Sequence, residues 1–346
     1  MHHSPLATLL TAPRLRRGLG ALVTALLAAP LAGAAGLPSA SAADARGVPV
    51  VDVRPQQLER GVDQRLPHLD GRFLVIGGQR VRLVGDQRVL VGHAGDGEDT
   101  LAVVATRRDG TWRTLRVDAD GRRRLLLEDV QPGTLRLVEG GSALLRERTR
   151  KGATQLTMFA TRTGDRLARR SVDGLPSVTG ADRTRVLLAD WSGERTLLWR
   201  WREGRRVTTL LDEIAYRVSF EAGRVATFTG DPYLDGCSVV RPLDDLARTR
   251  WRSCQERVES FSPDGSRLLT VHILSDGMGP TEVDLRTGRG RHLLTYDVGY
   301  GWIWTLGWEG DRTFVADVDG RRKAATVRCH GASCARASDL EPTAAS

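Results

Sequence analysis

Cys237, Cys254, Cys329 and Cys334 are the residues whose type and spacing most directly allow chemistry. Thiolates clustered at short spacing bind zinc, whereas oxidised pairs form disulfides if their Cα atoms come within about 7 Å. Histidines do not complete a zinc site. His93, His272 and His292 are scattered, and only His330 adjoins a cysteine, so each is expected as an ordinary strand or loop residue. Other catalytic signatures are missing. Gly140-Gly141-Ser142-Ala143 breaks the G-x-S-x-G pattern, and no P-loop, G-x-G-x-x-G after a strand or H-E-x-x-H occurs. No catalytic residue, metal or cofactor is expected.

A second cluster suits recognition. The run Tyr296-Asp297-Val298-Gly299-Tyr300-Gly301-Trp302-Ile303-Trp304 places four of the 18 aromatic residues within nine positions. Aromatic rings supply contact area at little entropic cost and are enriched at binding hot spots. Tyr296, Tyr300 and Trp302, extended by Tyr233 and Met278, form the expected binding set. Trp302 and Trp304 are two apart and should share one face of a strand. Trp304 is expected to be buried, with its truncation costing about 3–5 kcal/mol.

Charged residues recur with the same regularity as the elements that must position these groups. The chain of 346 residues has 49 arginines, 2 lysines and no asparagine, so its basicity reflects arginine usage. Apolar and charged fractions of 40% and 27% describe a folded chain, not a disordered one. Tight turns between extended runs fall at Gly78, Gly121, Gly164, Gly204, Asp245, Gly288 and Gly331, at spacings of 43, 43, 40, 41, 43 and 43. Glycine and aspartate tolerate the left-handed backbone of such turns. About 42 residues hold four short strands, one blade of a propeller. The fold class is therefore all-β, a seven-bladed β-propeller of four-stranded antiparallel blades over residues 43–346. The first unit is irregular, with 56–67 as loop, and Val48–Val53 is expected to pair with the last blade.

That period resolves the cysteines and the charges. Cys237 and Cys254 are centred on 245.5, and Cys329 and Cys334 on 331.5, both on outer turns. Each pair should face across one hairpin, which predicts the disulfides Cys237–Cys254 and Cys329–Cys334. Arg122 to Arg124, Arg166, Arg169, Arg170, Arg205, Arg206, Arg248, Arg250, Arg252 and Arg291 fall on fourth strands, where charge blocks edge pairing. Spread around the perimeter, they do not form a nucleic-acid groove. Asp86, Asp129, Asp173, Asp212, Glu213, Glu256, Asp297 and Asp339 end fourth strands and are expected to cap turns. They would otherwise form an acidic rim with Asp96, Glu98, Asp99, Asp231, Asp235 and Asp276.

Phe261-Ser262-Pro263-Asp264-Gly265-Ser266-Arg267-Leu268-Leu269, with Val283-Asp284-Leu285-Arg286-Thr287-Gly288 downstream, resembles the repeat of TolB-like propellers. The motif covers about 40 residues, and the other blades keep only the period and turn chemistry. Trp-Asp dipeptides closing the third strands and the sialidase box are absent. The resemblance implies a platform that binds protein or another ligand, and it carries over no catalytic residue.

Residues 1–42 combine Arg14, Arg16 and Arg17, an apolar run from Leu19 to Leu37 and Ala40-Ser41-Ala42. This pattern predicts a cleaved secretory signal peptide and a compartment that permits disulfides. Its removal leaves 48 basic and 42 acidic residues, a net charge of +6. The expectation is a secreted, monomeric, non-catalytic propeller that binds a protein or extracellular ligand, not nucleic acid or membrane. The competing reading is a propeller enzyme, a metal-assisted lactonase or lyase acting at the central channel.

Overall fold

A computed structural model describes residues 47–343 except 96, 205 and 276–278; the expected signal peptide and Met278 lie outside the described residues. Seven antiparallel sheets follow one another along the chain, at 68–82, 87–128, 135–173, 177–211, 214–253, 256–297 and 302–336. We call them blades 1 to 7. First strands of successive blades contact one another, as Gln87–Ala94 does Leu135–Leu137 and Ser177–Ala181 does Ile214–Ser219. They therefore line the middle of a seven-bladed β-propeller, and later strands lie progressively outward. Among the described residues, helix is confined to three short turns, Pro55–Gln57, Gly97–Asp99 and Pro132–Thr134.

Alternation along each strand explains the stacking. In Thr313–Asp319 of blade 7, Phe314, Ala316 and Val318 are buried against blade 6. Side chains two apart share a face, so every blade offers an apolar face to a neighbour. Blades 1 and 2 join through Leu74, Ile76, Ala102 and Val104, blades 3 and 4 through Leu145, Met158, Val186 and Trp199. Similar clusters join 2 to 3, 4 to 5, 5 to 6 and 6 to 7. Among the described residues, no such cluster spans blades 7 and 1.

That seventh junction is closed by the segment before blade 1. Val50–Asp52 pairs in parallel with the outer strand of blade 6, with Val50 opposite Thr295. This corrects the expected pairing with the last blade. An outer edge offers unpaired main-chain groups to any extended segment, and blade 6 is the one reached. The chain then crosses to blade 7, where Arg60 bridges Arg336 and the Gly61 N–H donates to the Arg336 carbonyl at 2.8 Å. Blade 1 keeps three strands, and blades 6 and 7 each gain an extra one.

Immediately before blade 1, Leu66 lies over Gly307, where an added Cβ would stand 2.7 Å from the Leu66 methyl. The Arg65 N–H donates to Glu309 Oε1 at 2.5 Å, and Arg328 Nε donates to Glu309 Oε2 at 2.5 Å. The Glu309 side chain is 1% exposed, so one enclosed carboxylate joins the two ends of the ring.

Both disulfides lie where the repeat placed them. Cys237–Cys254 and Cys329–Cys334 are bonded, with Cα separations of 4.1 and 4.2 Å. Their neighbours Ser238 and Ser253, and His330 and Ser333, face each other across the outer hairpins. Arg122, Arg206, Arg248, Arg250 and Arg291 depart from their expected place. They sit in the turns and loops before the fourth strands Arg123–Glu128, Val207–Leu211, Trp251–Ser253 and His292–Asp297 and not on them. Arg205 lies outside the described residues.

Glu309→Ala should cost about 3–5 kcal/mol of unfolding free energy, the penalty for leaving the partner of an enclosed ion pair alone. Guanidinium denaturation measures this. A loss below about 1 kcal/mol would show that closure does not depend on the carboxylate.

Candidate functional site

Two sets of connections emerge at one end of the ring: those between second and third strands, and those leading into the next blade. On blades 4 to 6 and at the junction with blade 7 these carry Trp191, Tyr233, Leu234, Leu274 and Tyr300, and Trp304 follows near the start of the first strand of blade 7, Trp302–Trp308; all are exposed large apolar side chains. Large apolar groups gathered at one end of consecutive blades differ from the single scattered ones common on any surface.

Each is held by a defined local device. Trp191 tips the turn between Arg185–Asp190 and Arg195–Arg200. Asp190 organises that turn, accepting from Ser192 Oγ at 2.9 Å, the Gly193 N–H at 3.2 Å and Arg195 Nε at 2.9 Å. Burial opposes ionisation of this carboxyl, but the three donors hold it below the usual carboxylate range. The Trp191 ring lies 6.3 Å from Phe228, which stacks on Tyr216 at 4.0 Å. Rim and inner strand are thereby linked through aromatic packing.

Tyr233 and Leu234 occupy the loop between Arg224–Phe228 and Ser238–Pro242. Its neck is closed twice. The Thr229 N–H donates to the Cys237 carbonyl at 3.0 Å, and the Cys237–Cys254 bridge ties the loop base to the junction with blade 6.

Tyr300 stands between Gly299 and Gly301 and is 75% exposed. Gly301 has φ +134°, and a Cβ there would lie 1.7 Å from the Asp319 carbonyl oxygen. Only glycine fits, and its backbone aims Tyr300 outward.

Several expectations change here. Tyr296 is buried between blades 6 and 7, edge-on to Phe314 at 4.9 Å, and its hydroxyl donates to the Gly331 carbonyl at 2.9 Å. It is a core residue, and burial raises its hydroxyl pKa. Trp302 is half-buried. Trp304 is exposed, contrary to the expected interior position, with Nε1 donating to Asp319 Oδ2 at 2.8 Å. The reason is a β-bulge. Register shifts between Ile303 and Leu306, which breaks the two-residue alternation on which burial was argued. Trp191, Leu234 and Leu274 were missed by sequence reasoning; an apolar residue at a turn tip was their one signal.

The carboxylates ending the blades are largely internal partners. Glu213 accepts from Arg241 at 2.6 and 2.8 Å, and Glu256 from Arg286 and from Thr270 Oγ1 at 2.9 Å. Asp297 accepts the Gly299 N–H at 2.6 Å. On the inner strands of blades 5 and 6, Arg217 and Arg257 donate to Glu259 at 2.7 and 2.9 Å. Burial pushes the His93 imidazole below its ordinary value, and His292 Nε2 lies 3.1 Å from Asp284 Oδ1. Among the described residues, no three His, Cys, Asp or Glu side chains converge in a metal-binding group.

No known protein-family model matches the chain, and no curated protein matches it. Solved structures do. Oligopeptidase B from Leishmania major is 9% identical, with a TM-score of 0.50 over 75% of this chain and 42% of that one. The β-propeller domain of the Trilobed protease from Pyrococcus furiosus is 13% identical, with a TM-score of 0.49 over 72% and 81%. An oligogalacturonate lyase in complex with manganese is 12% identical, with a TM-score of 0.45 over 73% and 86%. At such identities the likeness is one of fold alone.

Two outcomes test the construction of the rim. The folded Asp190 carboxyl is held below its unfolded value of about 4, so its contribution is complete above that pH and lost as pH falls below it. Acid titration of stability should therefore be flatter for Asp190→Asn than for the native chain, and equal slopes would exclude this role. Tyr300→Ala should change stability by less than about 0.5 kcal/mol, whereas Gly301→Ala should destabilise markedly through its clash and strained φ. Thermal melts that rank the two the other way would contradict the geometry.

Proposed function

We propose that this chain is an exported, TolB-like propeller without catalysis of its own. Its task is to bind a protein or extracellular ligand on the face carrying Trp191, Tyr233, Leu234, Leu274, Tyr300 and Trp304. The observation that carries this reading is the placement of these side chains at one end of four consecutive blades. Their turns are held by Asp190, by a disulfide and by a glycine that no other residue can replace. Recognition surfaces built on a rigid scaffold lose little entropy on binding, and exposed aromatic residues are the usual anchors.

Export is supported by the disulfides, which suggest a location outside the cytoplasm. Residues 1–42 would be the signal removed on the way. The S-P-D-G turn at Ser262–Gly265, whose Ser262 hydroxyl donates to Asp264 Oδ1 at 2.7 Å, supports the TolB-like relationship.

The test is affinity capture from the secreted fraction with the native chain and a Trp191→Ser/Tyr300→Ser variant. Each truncation should cost on the order of 2 kcal/mol if the ring is a hot spot, so the double variant should lose its captured ligand while melting normally. Equal capture by both proteins would move the binding face elsewhere.

A further inference from the structure

At the opposite end of the ring, blades 5 and 6 enclose an open cleft of about 640 Å³. It is lined by Arg224 and Arg250 of blade 5, the turn Asp264–Ser266 and the turn Thr287–Arg291 of blade 6. Tight turn packing makes the cavity. A Cβ on Gly288 would lie 2.3 Å from the Gly265 carbonyl oxygen, and one on Gly290 would strike the buried Trp251 ring at 1.8 Å. With no side chain at these positions, Arg224, Arg250, Arg289 and Arg291 border one shared space.

This charge is unmatched. Arg241, Arg286 and Arg328 each hold a carboxylate within 2.6 Å. Among the described residues, none of the four cleft arginines lies within ion-pair distance of one. Asp264, the acid in the lining, accepts from Ser262 Oγ at 2.7 Å and from the Ser266 N–H at 2.9 Å. At the margin, Asp311 accepts the Asp264 N–H at 3.1 Å, and Asp244 acts on Arg250 against the neighbouring Arg248. Arg224 Nη1 reaches only the Gly223 carbonyl at 3.2 Å, and the Nε atoms of Arg224 and Arg250 have no hydrogen-bond partner. Burial, then the charges of Arg248, Arg224 and Arg289, depress the Arg250 pKa. Arg289 and Arg291 face solvent as Arg166 and Arg169 do on blade 3, whereas Arg224 and Arg250 are half-buried. Edge protection accounts for charges standing singly along a strand, not for four bordering one hollow.

We propose that this cleft binds a phosphate-type oxyanion carrying two or more negative charges. Guanidinium forks match the oxygens of such a group in pairs. A single carboxylate would neutralise one arginine of four, whereas a phosphate or diphosphate can satisfy two or more. The same chemistry is offered by a free phosphate or by a phosphodiester-linked polymer.

Titration with sodium pyrophosphate at constant ionic strength, followed by calorimetry and by melting temperature, tests the site. Saturable binding at one site and a rise in melting temperature are expected. Arg250→Gln/Arg289→Gln should weaken binding at least tenfold, while Arg166→Gln/Arg169→Gln binds as the native chain does. Because removing like charges relieves repulsion, the cleft variant should melt at or above the native temperature without ligand, which separates loss of binding from unfolding. A glycerol-phosphate oligomer forms the second arm: tighter binding than pyrophosphate assigns a polymer, weaker binding a free anion. Failure to saturate at matched ionic strength, or equal affinity in the cleft variant, overturns the proposal.

Discussion

A propeller must bury both faces of every blade, and its first and last blades must therefore meet. Six junctions in this ring do so through apolar clusters. At the seventh, Leu66 over Gly307, Glu309 shared by Arg65 and Arg328, and main-chain pairing near Arg60 take their place. Everything else depends on this closure. Loops at either end can form surfaces only if the blades beneath them are fixed relative to one another. The segment 50–61 supplies the fixing by lying along the outer edges of blades 6 and 7. Main-chain hydrogen bonds at an edge ask little of side chains, and they also cover groups that would otherwise invite another strand.

The repeat was legible because turn chemistry is local. A glycine at positive φ, such as Gly121 or Gly164, is required by a short hairpin wherever it occurs. Five of the seven turn positions, Gly78, Gly121, Gly164, Gly204 and Gly331, are such glycines, whereas Gly288 and Asp245 turn without positive φ. The nearly constant spacing of all seven defines the blades without any knowledge of what packs on them. The disulfides followed from the same spacing. By contrast, the parallel pairing of Val50–Asp52 has no side-chain signature, because one extended apolar segment fits many edges. Its partner could be learned only from the three-dimensional arrangement.

The candidate site was half legible for a related reason. Tyr300 could be placed because adjacent glycines free the backbone and the aromatic residue has no partner strand to face. Tyr296 and Trp304 were exchanged, one buried where contact was expected and one exposed where burial was expected. Inner strands of five blades carry one extra residue opposite the second strand, near Val91, Thr179, Tyr216, Glu259 and Trp304. A bulge shifts alternation by one position and changes which side chains face inward. The arginines show the same limit. Their sequence positions distribute them evenly around the ring, but the turns of blades 5 and 6 fold several of them toward one hollow.

Native-state hydrogen exchange through a series of low guanidinium concentrations tests the closure most directly. If the segment 50–61 and Glu309 join blade 1 to blade 7, the amides of Leu74 and Ile76 in blade 1 and of Val315 and Val327 in blade 7 should exchange only through the same global unfolding. Their opening free energies would then merge with those of blades 3 and 4. Opening of blade 1 at a distinctly lower free energy, while the other blades remain protected, would contradict the account and describe a ring held only on one side.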